Sequence, residues 1–376
     1  MQSPSPSNRA SIPYDAEPAK EQGLVRRDDQ IDIAKGLLML LLVVGHASSH
    51  LLAQRGLLPS NIFGAGGVDD CTWIILRNLI DFILSTLIII SGYLLAQNHE
   101  KRPSSGLREF YTRRLKRLYL PYVTWFLAYL LIWENPDIRF ITVSFIFLDG
   151  WFHFWYIWVI FTAYLLFPLL HPMVKGHFRP TMALFVILIA LSVYLEQFVL
   201  PSYTLNYLFH DKLLTLPLYL LYFSLGIKVY LSGKDAMAGH FTGRRMLVLL
   251  VLGFAITFSI KLLVPYQGVV NAVSFAKKFN ILLFDVITTV LFFKLLGLSM
   301  MMGSCLKRVF AVMGISSYGI YLSHMLVLYF WRYVFGSGFA TTSSAYALLT
   351  IAASTACLNM LARIQMNSRI RALTGF

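Results

Sequence analysis

A chain of 376 residues in which 57% are hydrophobic and only 13% charged departs far from a soluble domain, where about a quarter of residues carry charge. Lys and Arg outnumber Asp and Glu by 32 to 18, but the basic residues fall between apolar runs and form no single stripe. That pattern argues against a nucleic-acid surface and for a polytopic membrane protein whose loops set its topology. Cys71, Cys305 and Cys357 are scattered, so no zinc site or disulfide framework is readable, and no metal is expected.

The first thirty residues are rich in Ser, Pro and charge and lack an apolar core followed by a small-residue cleavage site. Residues 1–30 read as a disordered cytoplasmic tail with no cleaved signal peptide. Beyond it, apolar runs predict helices at 31–52, 74–96, 118–134, 151–170, 181–200, 212–232, 246–264, 279–302, 314–335 and 343–362. Each is close to the roughly 17 to 25 residues that cross a hydrocarbon core. The expected fold is therefore all-α, about ten transmembrane helices over residues 31–362, with a short tail at 363–376. With the N-terminus inside, the inner segments carry 21 Lys and Arg against 4 outside (Arg55, Arg139, Lys277 and Lys278), so both termini are expected in the cytoplasm. Residues 135–150 read as a re-entrant or interfacial piece.

In chain order, the first helix raises the first chemical question. Lys35 and His46 are eleven residues apart, roughly three full turns, so they share a face about 16 Å apart along the axis. Asp32 lies one turn before Lys35. Ionisable groups within a membrane are costly and usually face a protein interior or a wet cavity. A plainer reading has Lys35 snorkelling to the inner interface and His46 packing as a satisfied histidine.

Ser91-Gly92-Tyr93 follows near the inner end of the second helix, where Gly permits close helix approach and Ser and Tyr can bond inward. Then "YTRRLKRLYLPY" sets Arg114 and Arg117 three apart, with Arg113 and Lys116 beside them. Two guanidinium forks on adjacent turns suit phosphate oxygens, although a positive-inside anchor has the same appearance. "WFHFWYIWVIF" places His153 among aromatics; an aromatic belt accounts for the tryptophans but not for the histidine. "GISSYGIYLSHMLVLYF" carries Ser316, Ser317, Tyr318, Tyr321 and His324 on an otherwise apolar helix, as chemistry or as polar glue between helices. Arg77, Asp81, Asp285, Lys294 and Arg332 are further intramembrane charges, and Arg77 and Asp81, four apart, read as a self-neutralising pair.

The combination, in this order, resembles the integral-membrane acyltransferase family 3, and within it the polysaccharide and fucose O-acetylases. The family's basic residue, ten-residue gap and histidine on the first helix are matched by Lys35 and His46. Its SGF or SGY element is matched by Ser91, Gly92 and Tyr93. Its R-x-x-R before a proline is matched by Arg114 and Arg117 before Pro121. Its histidine-aromatic segment corresponds to His153, Phe154, Trp155 and Tyr156, and its S-Y-x-x-Y-L-x-H to Ser317, Tyr318, Tyr321 and His324. The likeness spans residues 31 to about 335. Lys35 stands where many members carry Arg, keeping the charge but losing the bidentate fork.

The resemblance implies transfer of an acyl group, usually acetyl from acetyl-CoA, to a hydroxyl of a glycan or lipid-linked sugar at the cell inner membrane. In that reading His46 is the general base or a transient acyl carrier. Asp32 and Lys35 lie along the donor's path. Arg113, Arg114 and Arg117, with Lys116, hold CoA phosphates, and Ser91 and Tyr93 assist at the donor site. His153, Trp155, Tyr318 and His324 are then the acceptor-side candidates. A different class stays open: a transporter or flippase of lipid-linked sugar with His46 and Asp285 as a proton relay. No internal repeat between the two halves supports it.

Overall fold

The computed structural model describes residues 29–57, 62–101, 106–132, 142, 145, 153–195, 213–233, 244–263, 272–298, 303–335, 344–364 and 372–375. Among these the chain is all-helical, as a membrane demands of segments that must satisfy every backbone polar group internally. The α-helices are α1 (Asp29–Gln54), α2 (Val68–Leu79), α3 (Ile83–Lys101), α4 (Leu107–Leu130), α5 (Trp155–Gly176), α6 (Phe178–Tyr194), α7 (Leu216–Ser232), α8 (Arg244–Leu263), α9 (Ala272–Leu298), α10 (Ser304–Ile315), α11 (Ser317–Phe335) and α12 (Ser344–Arg363). Among the described residues, six stretches are long and apolar enough to cross a membrane, and a seventh is if α10 and α11 count as one bent span. Two more, α6 and α7, are shorter and apolar.

Each of the ten predicted spans coincides with a helix, with three differences of shape. The second runs from Val68 to Lys101 and is broken by a single 3-10 turn at Ile80–Phe82. The third begins well before residue 118, so the arginine cluster is already helical on α4. The ninth starts at Ser317, and the preceding stretch expected as a loop is the separate helix α10, bent 89° away from α11. The N-terminal tail and nearly all of 135–150 lie outside the described residues.

Two pairs of helices approach with their backbones almost touching. A Cβ on Gly36 would collide with the Phe310 carbonyl, and one on Gly314 with the Asp32 carbonyl, so α1 and α10 meet through their glycines. Likewise a Cβ on Gly92 would strike the Phe223 carbonyl and one on Gly226 the Ile89 carbonyl, which locks α3 to α7. The glycine of the Ser-Gly-Tyr element thus has a packing role. These contacts leave α1, α4, α5 and α11 to enclose a seam of polar and aromatic side chains.

Candidate active site

Three histidines remote in sequence converge in that seam. The His46 and His324 rings lie 5.0 Å apart between centroids, and His324 and His153 are also separated by 5.0 Å. His153 and His324 are buried, and His46 is half-buried. His46 comes from the middle of α1, His324 from α11, and His153 from the turn just ahead of α5.

The bonding around His324 defines its tautomer. Its Nδ1 sits 2.6 Å from the Tyr321 carbonyl oxygen, which can only accept, so Nδ1 carries the hydrogen and Nε2 keeps its lone pair. That Nε2 is buried and has no hydrogen-bond partner among the described residues. A buried imidazole with an unused lone pair, tilted against a second imidazole, is suited to holding or passing a proton.

The segment carrying His324 is braced from α4. The Tyr129 hydroxyl donates to the Leu322 carbonyl at 3.1 Å and accepts the Leu326 N–H at 3.0 Å, while its ring sits edge-on to His153 at 5.5 Å. Tyr321 donates to the His153 carbonyl, and Tyr318 donates to the Leu118 carbonyl at 2.6 Å. Three tyrosines therefore tie α4, α5 and α11 around the histidines. One turn along α1 from His46, Ser49 donates to the Gly45 carbonyl and accepts from Arg77 Nε at 2.7 Å. Arg77 pairs with Asp81, as its spacing predicted, and Asp81 is also paired with Lys261 at 2.8 Å.

On the other side, aromatic residues lead from the histidines toward the arginines. The Tyr321 ring lies 5.0 Å from that of Tyr156, and Ser91 on α3 donates to the Leu87 carbonyl at 2.8 Å. Tyr164, one helix face further along α5, is within electrostatic reach of both Arg114 and Arg117. The Arg114 guanidinium covers the Phe110 ring at 5.6 Å, and Phe110 stacks on Phe167. Arg113 is turned outward to Glu109 at 3.1 Å, which leaves Arg114 and Arg117 as the pair of forks beside the seam. Residues 372–375 are not a detached tail. They dock where α4 crosses α11, with the Thr374 carbonyl accepting from Trp125 Nε1 at 3.0 Å and the Gly375 carbonyl from the Gly319 N–H at 3.1 Å.

Other residues singled out in the sequence go elsewhere. Lys35 pairs with Asp32 at 2.8 Å, where α1 meets α10, far along the helix from His46. Tyr93 packs edge-on to Tyr230 at 5.5 Å, and Trp155 lies against Tyr219 at 5.2 Å; both face α7. Asp285 is bonded to Ser85 at 2.6 Å and Tyr222 at 2.9 Å. Tyr129 and Tyr164 belong to no recognisable motif. The available signal was a polar hydroxyl within an apolar helix, and many packing tyrosines share it.

A comparison with protein families matches residues 28–359 to a family described as an acyltransferase domain, that of acyltransferase family 3. No curated protein and no solved structure matches the chain. The match takes in α1 and the three histidines, the arginine pair and most of α12. With apolar helices of membrane-spanning length and a family match over most of its residues, the chain belongs to acyltransferase family 3 and is a multi-pass membrane acyltransferase.

Proposed function

We propose that the protein moves an acetyl or similarly short acyl group from acyl-CoA to a hydroxyl of a cell-surface or exopolysaccharide sugar at the cell inner membrane, with His46 as general base. The observation that carries this reading is the His46–His324 contact, at one end of a polar and aromatic seam whose other end holds Arg114 and Arg117. CoA suits such a seam, because its nucleotide phosphates stay at a wet, charged mouth while a slender neutral arm carries the thioester inward. Arg114 and Arg117 hold the phosphates. Ser91, Tyr156, Tyr164 and Tyr318 line the arm's course.

At the histidines a sugar hydroxyl is a poor nucleophile until a base takes its proton. His46 accepts that proton as the oxygen attacks the thioester carbonyl. The carbon–sulfur bond then breaks, and the proton passes to the departing CoA thiolate, so no proton is gained or lost overall. His324, held by Tyr321 and Tyr129, lies with its ring 5.0 Å from that of His46 and positions it by packing. Lys35, paired with Asp32 at the inner end of α1, contributes charge along the donor's path and lacks the bidentate fork of an arginine.

The test is release of free CoA from acetyl-CoA by the purified protein with and without an oligosaccharide acceptor. Acceptor-dependent release, with a higher KM for acetyl-CoA after replacing both Arg114 and Arg117 by Ala, is expected. An unchanged KM in that double variant would reduce the arginines to a topology signal.

A further inference from the structure

Past the histidines, α1 and α11 continue side by side and present matched residues turn by turn. His46, His50 and Gln54 recur every fourth position on α1, and His324, Tyr329 and Arg332, five and three apart, follow one another on the facing side of α11. The His46 and His324 rings form the first rung, at 5.0 Å. The His50 ring meets that of Tyr329 edge-on at 5.4 Å to form the second. In the third, the Gln54 amide, turned with its oxygen toward the guanidinium, accepts from Arg332 at 2.9 and 3.2 Å. Helix α12 closes the side, with Tyr346 donating to the Arg332 carbonyl at 3.4 Å. A cavity of about 30 Å3 lies among His50, Gln54, Tyr329, Arg332 and Thr350. That is room for about one or two waters and none for a sugar, so an acceptor passes this end of the ladder only if the rungs part.

The charges here are unequal. Arg55 bridges Asp69 and Asp70, and Arg77 has Asp81. Arg332 has no carboxylate among the described residues and is held by the neutral Gln54 amide. A half-buried guanidinium in an apolar bundle, with no carboxylate partner among the described residues, is costly, and a neutral amide is a weaker partner for it than the charged oxygens of a carboxylate or phosphate. The position calls for an anion that arrives and leaves.

We propose that Arg332 selects the acceptor: the sugar chain to be acylated carries an oxyanion, which displaces Gln54 from Arg332 and thereby opens the ladder toward His46. This rests on the O-acyltransferase reading above and deepens it by assigning the substrate class. Eight residues of helix separate the Arg332 level from the His324 level, about 12 Å. The oxyanion is therefore expected on a sugar adjoining the one that is acylated.

Two measurements test this on the full-length protein in detergent. The first compares CoA release with three matched oligosaccharides: one bearing glucuronate, one bearing a phosphate, and the neutral, carboxyl-reduced counterpart. The wild type should favour one charged acceptor on the order of ten-fold or more in kcat/KM, the size of one charge-assisted hydrogen bond. Which of the two it is identifies the oxyanion. Arg332→Gln should bring that ratio to about one while KM for acetyl-CoA is kept. Gln54→Glu, which offers Arg332 a competing carboxylate, should lower the ratio through KM of the charged acceptor. Equal use of neutral and charged acceptors by the wild type would overturn the proposal. The second measurement is thermal stabilisation of the protein by sodium glucuronate or inorganic phosphate, with glucose as the neutral control. Stabilisation by an anion that is lost in Arg332→Gln supports the site, and none in the wild type overturns it. CoA release absent with every acceptor, beside an Arg332-dependent anion effect, would sink the enzymatic reading and leave the anion site standing.

Discussion

Among the described residues, two of the buried polar regions are built in different ways. Around Asp285 the groups bond to one another: Ser85 and Tyr222 donate to the same carboxylate oxygen, and Thr86 meets Thr289 at 2.7 Å. This joins α3, α7 and α9 next to the glycine contact at Gly92 and Gly226. In the histidine seam the rings meet by faces and edges, and His324 Nε2 keeps its lone pair with no hydrogen-bond partner among the described residues. Ionisable side chains in an apolar bundle can thus serve as glue or as chemistry. The difference lies in what the groups meet: hydroxyls donate to one carboxylate oxygen around Asp285, whereas imidazole rings meet one another in the seam, and Asp285 Oδ1 and His324 Nε2 each lack a hydrogen-bond partner among the described residues.

The comparison can be broken most directly at His46. His46→Ala should lower acyl transfer by about 10²- to 10⁴-fold, the usual contribution of a positioned base, while size-exclusion chromatography shows intact protein. Activity near wild type would return the seam to the class of packing histidines. Tyr129→Phe should cost about 1–3 kcal/mol of stability, because it leaves the Leu326 N–H without its acceptor, and should reduce turnover as the His324 segment shifts. Unfolding and kcat measured on the same preparation would show whether the two fall together.

Asp285→Ala should do the reverse. The melting temperature falls because Ser85 and Tyr222 lose their acceptor, and kcat per folded molecule stays within about two-fold. A drop in kcat at unchanged stability would make Asp285 a participant in chemistry. Thr86→Ala, which removes one hydroxyl pair, should cost only about 0.6 kcal/mol, typical of a hydrogen bond between membrane helices. The smallest effect is expected from Lys35→Arg, which keeps the pairing with Asp32, and inactivity there would show that the shape of lysine matters.

Much of the architecture was legible from the sequence because the bilayer imposes a simple length-and-polarity rule on every helix, and apolar runs record it directly. His46, His153 and His324 were legible for the same reason, as polar residues where lipid-facing ones were expected. Tyr129 was not, since its role depends on which helix stands opposite. The packing of Trp155 and Tyr93 was likewise hidden: the 100° turn between successive helical residues sets their rings against Tyr219 and Tyr230 of α7, which sequence order does not show. The bend between α10 and α11 was also hidden. It depends on Gly314 reaching the α1 backbone, a contact between residues nearly three hundred positions apart.

Composition and motif order alone determined that this chain is an all-helical membrane acyltransferase with a basic cluster and isolated histidines, because those are properties of each segment taken by itself. Only the tertiary structure decided that three histidines share one seam, that Lys35 is already paired, and that Arg332 faces Gln54 and, among the described residues, no carboxylate. Which groups meet, and which charge is left for a ligand, depends on how helices distant in sequence pack against one another.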